Sequence, residues 1–129
     1  MKNKFKNFIF ILICFIFLFK NLYANEPFVF DITEVEILEN GNKINGYKGG
    51  TATSEDGSTI VGKNFFYNKL TNILEITGSV EYSDKIKNII ITADKVIFFK
   101  NNEKIFTTGN SKAVNENNTI TAASLEYDK

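Results

Sequence analysis

The chain has 129 residues, enough for one domain, and its fifteen lysines balance fifteen acidic residues, so its formal net charge is zero. It contains no histidine, no arginine and no tryptophan. Because nucleic-acid binding requires a basic face, commonly with arginine, this composition argues against a nucleic-acid partner.

The first 24 residues have the organisation of a secretory signal peptide. Residues 1–7 are basic, residues 8–19 form an unbroken apolar run, and Ala24 provides a small residue at the cleavage position. The run is shorter than the roughly 20 residues that span a bilayer, although an uncleaved anchor is the alternative. Cys14 lies inside the run rather than at its end, which argues against lipidation. We expect cleavage after Ala24 and a mature domain of residues 25–129.

This predicted domain contains no cysteine, and its eleven lysines and fifteen acidic residues give a net charge of −4. It therefore lacks a disulfide, a thiolate nucleophile, an imidazole base and the soft ligands of a zinc site. The carboxylates Glu55, Asp56, Asp84 and Asp94 lie in polar or lysine-rich surroundings without the ligand spacing of a calcium loop. We expect no enzymatic activity, no cofactor and no metal site.

The start of the domain predicts β-structure. Residues 28–32 alternate between apolar and polar, and the phase slips by one after Thr33, which indicates a bulge or a corner. Asn40-Gly41 predicts a hairpin turn. Residues 43–47 and 50–53 predict two weaker strands, and residues 54–57 predict a second turn.

One pattern is then written three times, in residues 59–69, 90–100 and 119–129. The aligned positions are Ile60, Ile91 and Ile120; Gly62, Ala93 and Ala122; Phe65, Val96 and Leu125; Tyr67, Phe98 and Tyr127; and Lys69, Lys100 and Lys129. Residues 73–80 and 104–111 form a second repeated element between these copies. A period of about thirty residues is typical of stacked repeats that bury their apolar faces against one another.

Each copy contains its own phase slip, and no stretch keeps the apolar spacing of a helix. The fold class predicted is all-β: a slotted antiparallel β-jellyroll or open β-solenoid of about 30-residue repeats. The small residue shared by Gly62, Ala93 and Ala122 suits a bend in the sheet. By periodicity alone, the aromatic-rich inner face fits either a plain packed core or an open apolar slot. The third copy has an opening strand without a partner, and such edges can serve strand-to-strand assembly.

The repeated pattern resembles the OstA-type domain of lipopolysaccharide transport proteins, the family of LptA and of the periplasmic N-terminal region of LptD. It is carried by residues 60–69 with 72–80, 91–100 with 105–109, and 120–129. The resemblance is strongest to the LptD region (organic solvent tolerance protein) and covers essentially all of residues 25–129. The membrane barrel and cysteines of LptD are absent, so both a fragment and a stand-alone module stay open.

The resemblance implies a slotted jellyroll that holds the acyl chains of lipopolysaccharide in the periplasm and joins other Lpt-type jellyroll proteins end to end, towards the outer membrane. Candidate slot-lining residues are Ile60, Phe65, Tyr67, Leu74, Ile76, Ile91, Val96, Phe98 and Ile105. Candidate residues of the assembly edge are Ile120, Thr121, Leu125 and Tyr127.

Two alternatives remain open at this stage. One is a structural or adhesive β-repeat protein with a closed core and no lipid cargo. The other is a periplasmic carrier of a different amphiphile that does not engage the transport partners. The sequence does not distinguish the lipid, the partner or the oligomeric state.

Overall fold

The computed structural model describes residues 26–129. The predicted signal peptide, with Cys14 and the cleavage position after Ala24, lies outside the described residues and stays a prediction. Within the described range, no helix has the length and apolar character needed to cross a bilayer.

Eight β-strands make up most of the described chain. They are β1 Phe28–Leu38, β2 Lys43–Ser54, β3 Thr59–Gly62, β4 Asn64–Asn68, β5 Ile73–Asp84, β6 Ile89–Phe99, β7 Lys104–Val114 and β8 Thr119–Asp128. The helical content of residues 26–129 is limited to two single 3₁₀ turns, Glu39–Gly41 and Lys100–Asn102. The all-β prediction is confirmed, and the predicted Asn-Gly hairpin turn joins β1 to β2, with positive φ at both Asn40 and Gly41.

The strands form one antiparallel sheet in chain order. β1 pairs with β2, and β3 and β4 together occupy the next position, between β2 and β5. β5, β6, β7 and β8 then follow as neighbours. Within the described chain, β1 and β8 each pair with a single strand, so they are the two edges of the sheet.

A line of bulges runs across all the strands and creases the sheet. The register of strand pairing shifts at Thr33 in β1, Gly78-Ser79 in β5, Asp94 in β6 and Gly109-Asn110 in β7. At the strand position between β2 and β5, Lys63 separates β3 from β4. Because an extra residue bends and twists a strand, a bulge repeated in neighbouring strands folds the whole sheet along one line. We call this line the crease.

The crease explains the repeat period. Gly78 and Gly109 both have positive φ, are followed by positive-φ residues and lie 31 positions apart, which is the length of two strands with their turns. At Gly78 an added Cβ would lie 2.7 Å from the Lys63 side chain, and at Gly109 it would lie 2.4 Å from Asp94 Oδ2. Each repeat is thus one strand pair that crosses the crease twice.

Of the three predicted small residues, Gly62 lies in a crowded position beside the crease. A Cβ on Gly62 would lie 2.3 Å from Ile76 Cγ2, so an added methyl group would displace a core side chain. One detail of the sequence prediction is wrong: residues 43–47 and 50–53 belong to the single strand β2. The positive φ of Lys48 and Gly49 makes a bulge on the crease, and the hydrogen-bond ladder continues on both sides of it.

The crease divides the sheet into two layers. The first layer comprises residues 28–32, 50–54, 59–62, 80–84, 89–93, 111–114 and 119–122, and the second comprises residues 34–38, 43–47, 64–68, 73–77, 95–99, 104–108 and 124–128. Phe28 of the first layer contacts Tyr67 and Phe98 of the second, with ring centroids 5.3 Å and 5.4 Å away. The two layers therefore face each other and enclose one core.

Candidate functional site: the apolar interior and its open ends

The structure brings all nine predicted slot-lining residues into one cluster. Ile60 and Ile91 come from the first layer, and the other seven come from the second layer. None is more than 2% exposed. The alternation of buried and exposed residues explains this placement: in β5, Leu74, Ile76, Val80 and Tyr82 are buried between more exposed neighbours. In this state the nine side chains fill the space between the layers.

Aromatic side chains complete the middle of the interior. Phe28 packs edge-on against Tyr67 and Phe98, and Tyr82 of the first layer lies 6.0 Å from Tyr127 of the second, centroid to centroid. The Tyr67 hydroxyl donates to Asn72 Oδ1 at 2.9 Å. Burial, with a contribution from Glu26, raises the pKa of Tyr67 to about 12, so this phenol is neutral at physiological pH. These side chains pack the middle of the interior.

The interior opens at the β8 end of the sheet. A cleft of about 180 Å³ lies there between the layers, and Ile89, Ile91, Ala113, Ile120, Leu125 and Tyr127 contribute its apolar lining. Ile120 is 57% exposed. The cleft is smaller than the roughly 300–1,000 Å³ typical of ligand pockets. An occupant as large as an acyl chain therefore requires the layers to separate or a neighbouring molecule to extend the cleft.

The predicted assembly residues lie on this edge. Ile120, Leu125 and Tyr127 line the cleft, and Thr121 alternates with Ile120 on the outer face of β8. Asn115 N–H donates to the Asn118 carbonyl, which turns the polar groups of Asn118 towards β7. Since these directions alternate along a strand, the N–H of Thr121 points to the free edge. β8 thus presents main-chain donors and an apolar rim together.

The sequence analysis missed the opposite opening. At the β1 edge, Val35 and Ile37 of the second layer are 47% and 66% exposed. They pair with Gly46 and Ile44, so they continue the inner face of the sheet beyond the point where the first layer covers it. The alternation of Val35 and Ile37 after the slip at Thr33 indicates which face of the strand they occupy, but it does not show that the facing layer ends earlier.

The acidic residues serve local structure. The Asp84 carboxylate accepts the backbone N–H groups of Ile86 and Lys87, each at 3.0 Å, and Asp94 accepts a bond from the Asn110 amide at 2.9 Å. Asp56 accepts bonds from the backbone and the hydroxyl of Ser58 and pairs with Lys129. No group of three or more potential metal ligands occurs in the part of the chain that the structure describes.

These features define an antiparallel β-jellyroll made from one creased sheet, with a packed middle and an apolar opening at each edge. The structure is similar to that of LptH from Pseudomonas aeruginosa, with a TM-score of 0.71 and 14% sequence identity over 80% of this chain and 76% of that chain. LptH is described as the LptA-homologous periplasmic component of the conserved lipopolysaccharide transport device. At this identity, the similarity establishes the fold. No known protein family matches the sequence, and no curated protein does.

Proposed function

We propose that this protein is a periplasmic lipopolysaccharide transport module that holds acyl chains between its two layers and joins similar jellyrolls end to end. The observation that carries the proposal is that the apolar inner face is exposed at both edges of the sheet. It reaches the surface at Ile120 on β8 and at Ile37 on β1. The shared fold with LptH supports the transport role.

The chemistry of the edges supports assembly by strand pairing. An unpaired edge strand with free main-chain donors is a template for another strand. Joining the β8 edge of one molecule to the β1 edge of the next would cover both apolar openings and make the inner faces continuous. The proposed partners are lipopolysaccharide, bound through its lipid A acyl chains, and other Lpt-type jellyroll proteins leading to the outer membrane. Export by the predicted signal peptide is part of this proposal, and the closer kinship with the LptD region remains a prediction.

Photocrosslinking from the open cleft tests the cargo. A photoreactive phenylalanine analogue at Ile120 should form an adduct with lipopolysaccharide, because this side chain lies at the rim of the interior and is 57% exposed. The same analogue at Val61, which is 44% exposed on the outside of the first layer, is the matched control. Adduct formation at residue 120 and not at 61 supports the proposal. A folded protein that gives no adduct at 120, or equal amounts at both positions, contradicts it.

The packed middle favours a second candidate function. With all nine predicted lining residues at most 2% exposed, the interior is also that of a closed structural β-repeat protein without cargo. The two candidates differ in the crosslinking experiment, because a protein without cargo should give no more adduct at residue 120 than at the exposed control residue 61.

A further inference from the structure

The layers meet along a line of contacts opposite the crease, which we call the seam. From the β1 side it comprises the Glu26–Lys69 ion pair at 3.0 Å, the packing of Phe28 on Tyr67 and Phe98, the Asp56–Lys129 ion pair, and Lys87 Nζ lying 5.7 Å from the Tyr127 ring centroid. The backbone is continuous across the crease. Among residues 26–129, the contacts that hold the layers together on the seam side are therefore made by side chains.

Lys129 is the most enclosed ion-pairing lysine of the described residues, with its side chain 6% exposed. It follows β8 in the second layer, and its ammonium group pairs with Asp56 in the first-layer turn between β2 and β3. The same group donates to Ser58 Oγ at 3.1 Å, lies 5.3 Å from the Phe98 ring centroid and is 3.7 Å from Glu103 Oε2. One cation thus ties the tips of both layers to the core.

Apart from the Glu26–Lys69 pair at the other end of the seam, the remaining ion pairs among residues 26–129 do not join the two layers. Lys104 of β7 pairs with Glu126 and Asp128 on the neighbouring strand β8, at 2.7 Å and 3.3 Å, and all three belong to or border the second layer. Lys95 pairs with Glu75 in the same way, at 2.8 Å. Separating the layers would leave these pairs intact and would break the Asp56–Lys129 pair.

The closed state also buries polar groups that have no hydrogen-bond partner within the protein. Among residues 26–129, two buried side-chain oxygens lack a hydrogen-bond partner: Ser54 Oγ and Tyr127 Oη. Tyr127 lies in the seam under Lys87, and Ser54 ends β2 next to the turn that carries Asp56. Separation of the layers would expose both hydroxyls to solvent water.

We propose that the Asp56–Lys129 pair is a latch that holds the two layers closed, and that its release lets them separate about the crease to open the filled interior. The biological role of the latch rests on the proposed function: opening would give acyl chains access to a slot that the protein's own side chains occupy. The latch itself is a property of the free protein and can be tested without lipid.

The reactivity of a cysteine introduced into the core can measure this opening. The background is low because the chain contains only one other cysteine, Cys14. Val96→Cys places a thiol of similar size at a fully buried position of β6. Its reaction with a maleimide, followed at residue 96 by peptide mass so that Cys14 does not contribute, measures how often the layers separate. The variants for comparison are Asp56→Asn, which keeps the oxygen that accepts the Ser58 bonds, and Lys129→Met. Lys104→Met is the matched control within one layer.

We expect Asp56→Asn and Lys129→Met each to raise the labelling rate about fivefold, the equivalent of about 1 kcal/mol for an ion pair with one exposed partner. Labelling should depend less steeply on denaturant concentration than global unfolding does, because separating the layers exposes only part of the buried surface. Lys104→Met should leave the rate unchanged. The two single variants remove the pair from opposite sides, so one of them keeps the test valid if the other folds poorly.

Two outcomes would overturn the latch. One is labelling at the parental rate in both single variants, and the other is labelling whose denaturant dependence equals that of global unfolding. Because no lipopolysaccharide is present, either result leaves the cargo proposal untouched. Conversely, fast labelling of the latch variants together with no adduct at residue 120 would retain the latch and reject the transport function.

Discussion

The middle of the interior and its two ends contain the same kinds of residues but differ in how completely they are packed. Within β1, Phe28 is 4% exposed and Ile37 is 66% exposed, although both belong to the inner face. Within β8, Tyr127 is half-buried and Ile120 is exposed. Each edge strand therefore has one covered half and one uncovered half, and the uncovered halves belong to opposite layers.

The crossing of the two layers explains this diagonal pattern. Phe28, at the first strand, contacts Tyr67 of β4 and Phe98 of β6, and Tyr82 of β5 contacts Tyr127 of β8. Each layer is thus covered by strands several positions away in the sheet, as the twist of neighbouring strands requires. At the β8 edge the first layer extends beyond the second layer that faces it. At the β1 edge the second layer extends beyond the first. Burial in this protein depends on the facing layer as much as on the strand itself.

Shortening one side chain in the middle and one at an end should give the largest difference in stability between the two regions. Phe65→Ala should lower the free energy of unfolding by about 3–5 kcal/mol, because Phe65 is fully buried and the cavity cannot be hydrated. Ile120→Ala should lower it by less than about 1 kcal/mol, because its side chain is already largely in water. Denaturant titrations of both variants measure the difference, and equal losses would mean that the end is as tightly packed as the middle.

The edge function of β8 should depend on its outward main-chain donors. Thr121→Pro removes an N–H that faces the free edge and leaves the β7–β8 ladder intact, so the monomer should stay folded. We expect end-to-end association to weaken at least about tenfold, the equivalent of one lost hydrogen bond to an otherwise paired carbonyl. Native mass spectrometry over a concentration series measures this association.

Thr121→Val is the control for that experiment, because it changes the side chain and keeps the N–H. It should assemble like the parent protein. Unchanged association of Thr121→Pro would show that the edge of β8 does not pair with another strand, and it would leave the open ends without the proposed role.

The smallest expected effect concerns pH. Burial by itself would raise the pKa of the Asp56 carboxyl, but hydrogen bonds from Lys129 and Ser58 outweigh burial and hold the pKa well below its usual range. Since the folded-state pKa is lowered, the stabilisation is complete above the unfolded-state pKa of about 4 and is lost as the pH falls towards the folded-state value. Asp56 is 38% exposed at its side chain, so solvent screening limits the effect to about 1 kcal/mol.

The difference in stability between the parent and Asp56→Asn isolates this contribution from the neighbouring Glu55, Glu103, Lys87 and Lys100. It should be constant above about pH 5 and shrink below about pH 4. A difference that does not change between pH 7 and pH 2 would show that the charge of Asp56 has no part in closing the seam.

The sequence anticipated much of the fold because its evidence was local. The slips at Thr33 and inside each repeat became the crease, and the three aligned isoleucines became inner-face residues of β3, β6 and β8. The alternation in residues 73–80 identified buried positions correctly. By contrast, the slip between Tyr47 and Gly50 was taken for a break between strands, because a bulge and a short loop give the same local pattern.

The candidate site was harder to predict from the sequence than the fold. All nine predicted lining residues do share one interior, but Ile60, in the buried middle, and Ile120, on the open rim, occupy equivalent positions in the repeat. Neither the latch between Asp56 and Lys129 nor the opening at Val35 and Ile37 has a sequence pattern of its own, because each depends on residues far apart in the chain.

The sequence by itself thus determined the strands, their inner faces, the crease and the period of about thirty residues, since side-chain alternation and bulges are set by neighbours along the chain. The tertiary structure alone decided which parts of the inner face are covered, where the interior opens and which charges meet at the seam. These follow from the twist accumulated across the whole sheet, a quantity that no single repeat contains.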